Sequence, residues 1–268
     1  MQFIHMKQLE QNRMYKASVR INTLNDREDW LREAVDSYFQ QENVEIQLIV
    51  STIEDDSSLS VLKDYSNIDF CVTEKYEHSQ SKSPRYYQLN NAMKLVKHPW
   101  WCFAAGDDTA LPNKILKEIS MCLEHDSNIC SSAIYKTDEH LNITSSIRMP
   151  EKYLGLSKHL AGNFVADCSL ISIDLWREFG PFDISLEQMA HWDFWLRVFS
   201  VYDENLIVFN SEPTWLYRIH DKCVHQRDLK SKQRAQHREA SRKRMMQKHY
   251  HLLEKYNVEH LATQDIYK

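Results

Sequence analysis

The stretch Trp100–Ile115, WWCFAAGDDTALPNKI, decides the fold. Six consecutive apolar residues, Trp100 to Ala105, run straight into Gly106-Asp107-Asp108, and Pro112 then opens a segment of helical character. So short a run with no polar face fits a strand covered on both sides, the environment of a parallel sheet flanked by helices. Ligands of open parallel sheets bind beyond the carboxyl ends of the strands, which is where the two aspartates fall. Adjacent carboxylates repel one another unless a cation or a proton relieves them. Mg2+ or Mn2+ commonly takes one or two carboxylates together with substrate phosphates. One reading of this turn is therefore a metal–diphosphate site. The other is an Asp-rich turn in which Asp108 or Thr109 caps the helix that follows.

Working outward, strand-like and helix-like segments alternate. Ala17–Leu24 (ASVRINTL) and Val44–Thr52 (VEIQLIVST) read as strands separated by an amphipathic helix over Glu28–Gln41. A short helix at Leu59–Tyr65, a strand at Ile68–Thr73 and a helix from Pro84 to Val96 precede the central strand, and Leu111–Leu123 follows it as a helix. This order predicts an α/β fold, a Rossmann-type and mostly parallel sheet with flanking helices. The second half is less regular: strands are expected at Ile129–Tyr135, Asn142–Arg148, Ala166–Ser172, Leu206–Phe209 and Thr214–Ile219. Helices are expected at Asp174–Phe179, at Glu187–Tyr202 and, as one long basic segment, from Gln226 to about Lys255. The domain reading is residues 1–221 as the α/β domain and 222–268 as a basic helical extension.

Composition narrows the function classes. The chain has 268 residues, 43% hydrophobic and 26% charged, ordinary values for a globular protein and too apolar for a disordered one. It has four glycines, where average usage of about 7% would give roughly nineteen. That scarcity excludes Gly-rich linkers, and neither a P-loop nor a dinucleotide fingerprint is present. No apolar run approaches the 18 or more residues of a membrane span, and Met1–Lys16 is polar and mixed in charge, so the expected location is cytoplasmic. The six cysteines show no metal-binding spacing and read as buried thiols. Net charge is −5, yet Lys222–Lys248 holds ten Lys/Arg against Asp228 and Glu239, a local +8. Such a segment suits an anionic membrane surface or nucleic-acid phosphates, or is simply a solvated helix face.

Several of these segments, in order, resemble glycosyltransferase family 2, nucleotide-sugar enzymes of the GT-A fold. Ala17–Gln41 is similar to the family's first strand, donor-binding turn and first helix, Glu45–Thr52 to its second strand, and Gln88–Val96 (QLNNAMKLV) to its Asn-containing helix. Ala105–Pro112 resembles the Asp-x-Asp motif with its following Leu-Pro, and Phe179–Asp183 (FGPFD) the Gly-Phe-Asp stretch. His191–Arg197 (HWDFWLR) is similar to the acceptor-side helix, and Tyr217–His220 (YRIH) to the late strand with its histidine. The resemblance covers about Ala17 to Lys222. It implies an inverting, metal-dependent sugar transfer from a nucleotide-diphosphate-sugar donor to a glycan or lipid-linked glycan; the basic 222–248 segment adds modified nucleic acid as another acceptor and peripheral membrane contact as an option.

Residue by residue, the resemblance implies Mg2+ or Mn2+ held by Asp107, Asp108 and His220. It implies donor contacts from Thr23, Asn25, Asp26, Ser51, Arg85, Asn90 and Asp107. Three positions depart from the family pattern. Ser51-Thr52 stand where a nucleobase-binding Asp is common, with Glu54, Asp55 or Asp56 as possible substitutes. Ala105 stands at the first acidic position of Asp-x-Asp, and His191 at the position of the catalytic Asp. A base must take the acceptor hydroxyl proton, and a neutral histidine is competent near pH 7. His191, Asp193 and Glu187 are the candidates; two residues turn a helix by about 200°, so His191 and Asp193 cannot both face one site. These departures also admit a second reading, a catalytically weak or inactive nucleotide-sugar- or glycan-binding module. Trp192 and Trp195 read as core packing or as an aromatic wall for a sugar.

Overall fold

The computed structural model describes residues 14–263 except Asn25, Tyr76, 78–82, Asp203, Lys222 and 224–231; at Glu187, Glu204, Gln233 and Arg234 only the backbone is described. Strands β1 (Tyr15–Asn22), β2 (Val44–Ile53), β3 (Ile68–Thr73) and β4 (Trp100–Ala105) come first. They are followed by β5 (Thr109–Ala110), β6 (Ile129–Thr137), β7 (Ile143–Ile147), β8 (Leu170–Ser172) and β9 (Ile207–Arg218). All belong to one sheet with the order β3-β2-β1-β4-β8-β6-β9-β5, β7 pairing with β6. The first four strands are mutually parallel, as expected from the alternation of elements. Beyond β4 the sheet is mixed: β8 is antiparallel to both β4 and β6, whereas β6 and β9 run parallel.

The helices are α1 (Glu28–Phe39), α2 (Ser57–Val61), α3 (Pro84–Met93), α4 (Lys114–Glu124), α5 (Leu156–Ala161), α6 (Ile173–Phe179), α7 (Ala190–Val201), α8 (Lys232–Lys248) and α9 (Tyr250–Lys255). Two apolar clusters lie on opposite faces of the sheet, and β4 feeds both. Cys102 and Ala104 join Ala17, Val19, Ile21, Leu48 and Val50 beneath α1 and α4. Trp101 and Phe103 point the other way, to Tyr86, Leu89, Phe182 and the aromatic residues of α7. Side chains alternate along a strand, so the unbroken apolar run in β4 records burial on both faces.

Several elements differ from the sequence reading. Leu206–Phe209 and Thr214–Ile219 are halves of one strand, β9, which continues through Pro213; the register against β6 shifts between Ser132 and Ile134 at that place. A bulge is where a sheet tolerates proline. The segment Ala166–Ser169 is a turn, and only Leu170–Ser172 is strand. The helix expected over Glu187–Tyr202 is α7, which starts at Ala190 after a 3-10 turn over Ile184–Met189. Among the described residues the expected basic helix is two helices, α8 and α9, its first part (226–231) lying outside the described residues, and Met245, Met246, Leu252, Leu253 and Leu261 are buried in the same cluster as Trp101 and Trp195. Among the described residues no helix is long and apolar enough to cross a membrane. The six cysteines form no disulfide, and all but Cys71 are buried.

Candidate functional site

The parallel pairing of β1 with β4 places Asn22 beside Ala105, so the segments that follow both strands leave the sheet together. The Gly106 amide donates to the Asn22 carbonyl at 3.1 Å. A Cβ at Gly106 would lie 2.4 Å from Oδ2 of Asp26, so a larger residue there would push Asp26 away. Burial and the neighbouring Asp107 charge raise the Asp26 carboxyl to about 6. Two carboxylates thus share a confined space at the carboxyl end of the parallel strands. His220, just after β9, closes the group with Nε2 at 2.9 Å from Oδ2 of Asp107. Its ring packs edge-on to Trp30 of α1, at 4.7 Å between centroids. Arg27 and Arg218 lie over the same indole, at 4.2 and 4.8 Å from its centre.

Asp108 does different work from Asp107. Its Oδ1 accepts the Arg218 amide at 2.8 Å, and its carboxyl is buried, 1% exposed. Desolvation and then the Asp107 charge hold its pKa well above the usual carboxylate range. The expected trio Asp107, Asp108 and His220 therefore does not converge: Asp108 pins β9 to the turn from inside. Among the described residues, no three His, Cys, Asp or Glu side chains are grouped to hold a metal ion. What remains is one carboxylate, one imidazole and a nearby acid whose repulsion a cation would relieve. That donor set fits a divalent ion completed by phosphate oxygens, for which Asp107 and His220 would be the protein ligands. Arg218 stiffens the wall, donating to the carbonyls of Asp107 (2.8 Å) and Glu139 (2.7 Å) and to Glu33 Oε2 (2.5 Å).

A second polar group lies toward α3 and α7. His191 is buried, with Nδ1 at 3.2 Å from the Tyr86 hydroxyl and 3.5 Å from Oδ1 of Asp167. The rings of Tyr86 and Phe182 pack edge-on to its imidazole. Burial, partly opposed by Asp167, lowers its pKa to about 4. Asp167 is open to solvent through 39% of its side chain and meets Arg85 Nη2 at 3.4 Å. His191 and Arg85 hold the Asp167 carboxyl below the usual range against the opposing effect of burial. The turn carrying Asp167 is anchored by Lys114, which donates to the Cys168 carbonyl (2.9 Å) and to both oxygens of buried Glu118 (2.7 Å).

Other expected residues also make contacts within the scaffold. Asp193 faces the opposite side of α7, as the helical rotation required. It accepts from Arg197 (2.9 Å), Lys248 (2.9 Å) and His249 (2.8 Å) and ties α7 to α8. Its carboxylate is fully buried in that clasp and is not placed to meet an acceptor. Asn90 uses its amide as a backbone mimic, donating to the Phe182 carbonyl and accepting the Phe182 amide. Thr23 pairs with Ser58 at 2.8 Å and Ser51 donates to the Gln88 carbonyl at 3.3 Å, both buried. Of the substitutes for a nucleobase aspartate, Asp56 caps α2 by accepting the Ser58 amide, and Glu54 accepts the Lys75 amide. Asn25 lies outside the described residues, as does the Glu187 side chain. Trp192 and Trp195 are core, Trp192 donating to the His159 carbonyl.

Sequence reasoning missed Asp167 and Trp30. Asp167 is the lone charge in the run Val165-Ala166-Asp167-Cys168-Ser169-Leu170, a signal that could have singled it out. Trp30 counted only as part of the α1 apolar stripe. The basic segment also changes character. Arg242 is buried, bonded to Glu239 and the Leu261 carbonyl, and Lys248 binds Asp183 and Asp193. Part of the +8 excess is thus taken up inside the chain.

Comparison with known proteins bears on the family and the fold. Two uncharacterized glycosyltransferases are similar in sequence. One, from Rickettsia bellii, is 25% identical over 195 residues, 68% of this chain and 28% of that protein. The other, from Rickettsia typhi, is 26% identical over 206 residues, 72% of this chain and 61% of that protein. The chain thus spans less than two thirds of either relative. In fold it is similar to S. aureus TarS 1–349 in complex with UDP-GlcNAc, with a TM-score of 0.64, 15% identity, and coverage of 84% of this chain and 65% of that one. The complex of the same protein with UDP gives a TM-score of 0.61 at 16% identity, covering 87% and 72%. The sequence profile described as glycosyl transferase family 2 matches residues 18–176, more than half of the molecule, and the chain belongs to that family.

Proposed function

We propose that this chain transfers a sugar from a nucleotide-diphosphate-sugar to an acceptor hydroxyl with inversion at the anomeric carbon. The observation that carries the reading is the meeting of Asp26, Asp107 and His220 where β1 and β4 end. The donor diphosphate lies against Asp107 and His220, with Trp30 and Arg27 at its flank. Asp107 and His220 would hold Mg2+ or Mn2+, which would supply positive charge against the departing diphosphate. The sugar extends toward Arg85, Asp167 and His191. The acceptor oxygen attacks the anomeric carbon from the face opposite the diphosphate, and its proton passes to the His191–Asp167 pair. Asp167 is the open member of that pair and meets the hydroxyl. His191, kept neutral by burial, orients the carboxylate and shares the proton.

The acceptor this account favours is a glycan, free or lipid-linked. The nucleic-acid and membrane-surface readings depend on the basic C-terminal segment, and the internal contacts of Arg242 and Lys248 weaken both. A second reading, a module that binds the donor without turnover, is favoured by Ala105 and by the depressed basicity of His191. Donor hydrolysis measured over a panel of nucleotide-sugars, with and without Mn2+, tests the proposal. Metal-stimulated hydrolysis of one donor, reduced by Asp167→Asn, supports transfer. Donor binding without hydrolysis or transfer supports the binding module, and a chain that neither binds nor hydrolyses any donor defeats both.

A further inference from the structure

Arg20 is the least expected residue in the fold. It sits in the middle of β1, between Val19 and Ile21, and is 0% exposed. All three of its guanidinium nitrogens are buried without a hydrogen-bond partner. Its guanidinium carbon lies 5.6 Å from the Phe103 ring and 5.7 Å from Trp101. Arg85 stands over the same Phe103 ring at 5.0 Å and over Tyr86 at 5.6 Å. Burial and the Arg85 charge pull Arg20 down to about 9, so it is cationic at neutral pH. Buried charges are normally paired, because desolvating an unpaired one is costly. Here two guanidinium groups flank one ring, and the neighbouring carboxylate, Asp167, meets Arg85 rather than Arg20. Gln88 Nε2 and Trp101 Nε1 are further buried donors without an acceptor on this side of the sheet. Among the described residues Arg20 has no carboxylate bonded to it.

We propose that Arg20 and Arg85 select a substrate whose sugar carries a carboxylate, on the donor or on the acceptor. This rests on the sugar-transfer reading above and names the class of sugar. Arg85, at the solvent edge with 38% of its side chain exposed, makes the direct contact through its planar fork. Arg20 lies behind it as an uncompensated positive charge in a medium of low polarity, where its field is weakly screened. In that reading the diphosphate is held at Asp107 and His220; the Asp107 charge also reaches Arg85, so UDP alone is included among the probes to separate the diphosphate from a sugar carboxylate.

The test compares Arg20→Met with the unmodified protein by titration calorimetry and thermal unfolding. The probes are UDP, UDP-glucose, UDP-glucuronate, free glucose and free glucuronate, with Mn2+ present. A preference of about tenfold or more for UDP-glucuronate over UDP-glucose places the carboxylate on the donor. The same preference for free glucuronate over glucose, with the two nucleotide-sugars alike, places it on the acceptor. In either case the preference falls to within about twofold in Arg20→Met, whereas affinity for UDP alone is retained. If neither carboxylate probe is preferred by the unmodified protein, the inference is overturned while UDP binding still upholds the nucleotide site. An equal loss of UDP and UDP-glucuronate binding in Arg20→Met also overturns it, since the charge then serves the diphosphate. If no probe containing UDP binds, the donor reading fails in this form, and the free-sugar pair alone decides the carboxylate claim. Should Arg20→Met not fold, Arg85→Gln gives the same comparison from the exposed edge of the cluster.

Discussion

Replacing Asp26 by asparagine tests the electrostatic core of the site. In the structure Asp26 is wedged against Gly106 and beside Asp107, and its carboxyl is raised from 3.8 to about 6 by burial first and by Asp107 second. A folded-state pKa above the unfolded value means that the folded chain binds more protons between those two pH values. Its contribution to stability is therefore fully present below about pH 4 and is lost as pH rises through about 6. Two pH units correspond to about 3 kcal/mol, and partial exposure reduces this to about 2 kcal/mol. Asparagine keeps the shape and removes the charge. At pH 8 Asp26→Asn should thus be about 2 kcal/mol more stable, relative to wild type, than it is at pH 4. For a chain of this size that is roughly 4–8 °C in midpoint. Urea unfolding of both proteins at pH 4, 6 and 8 measures it, and the difference between them isolates this one group. An equal stability difference at pH 4 and pH 8 would refute the account of two crowded carboxylates.

Other expectations concern α7 and the base. Asp193→Ala removes the shared partner of Lys248, His249 and Arg197, and should lower stability by about 3 kcal/mol in thermal unfolding. Turnover per folded molecule should persist; its abolition would return Asp193 to the role of base. With donor and metal saturating, the rate should fall on the acid side only near pH 4 or below, because the base must be deprotonated and both His191 and Asp167 are shifted downward. An acid limb near 6.5 would show an ordinary histidine as the base instead.

How far the sequence was legible follows from what periodicity can encode. The run Trp100–Ala105 was readable as a strand because both its faces are covered, and the α1 stripe because one face is. The split of β9 into two strands came from Asn210-Ser211-Glu212-Pro213, which has turn composition but here forms a bulge held by the pairing with β6. Adjacent aspartates look equivalent in a sequence. In the structure Asp107 turns to His220 and Asp108 turns inward to the Arg218 amide, a distinction set by a strand more than a hundred residues away. The rotation between His191 and Asp193 was readable from helix geometry alone; which of them faced Asp167 was not. The basic C-terminal segment could be counted but not paired, because Lys248 and His249 find Asp193 through tertiary packing.

The most direct measurement of the central claim is calorimetric titration of UDP, GDP, CDP and TDP into the protein with and without Mn2+, repeated with Asp107→Ala. The account predicts that at least one nucleotide binds, that Mn2+ tightens it by about tenfold or more, and that Asp107→Ala removes the metal-dependent part. Asp108 is left intact in this test because it anchors β9. Binding that is indifferent to both Mn2+ and Asp107, or no binding of any nucleotide, would contradict it.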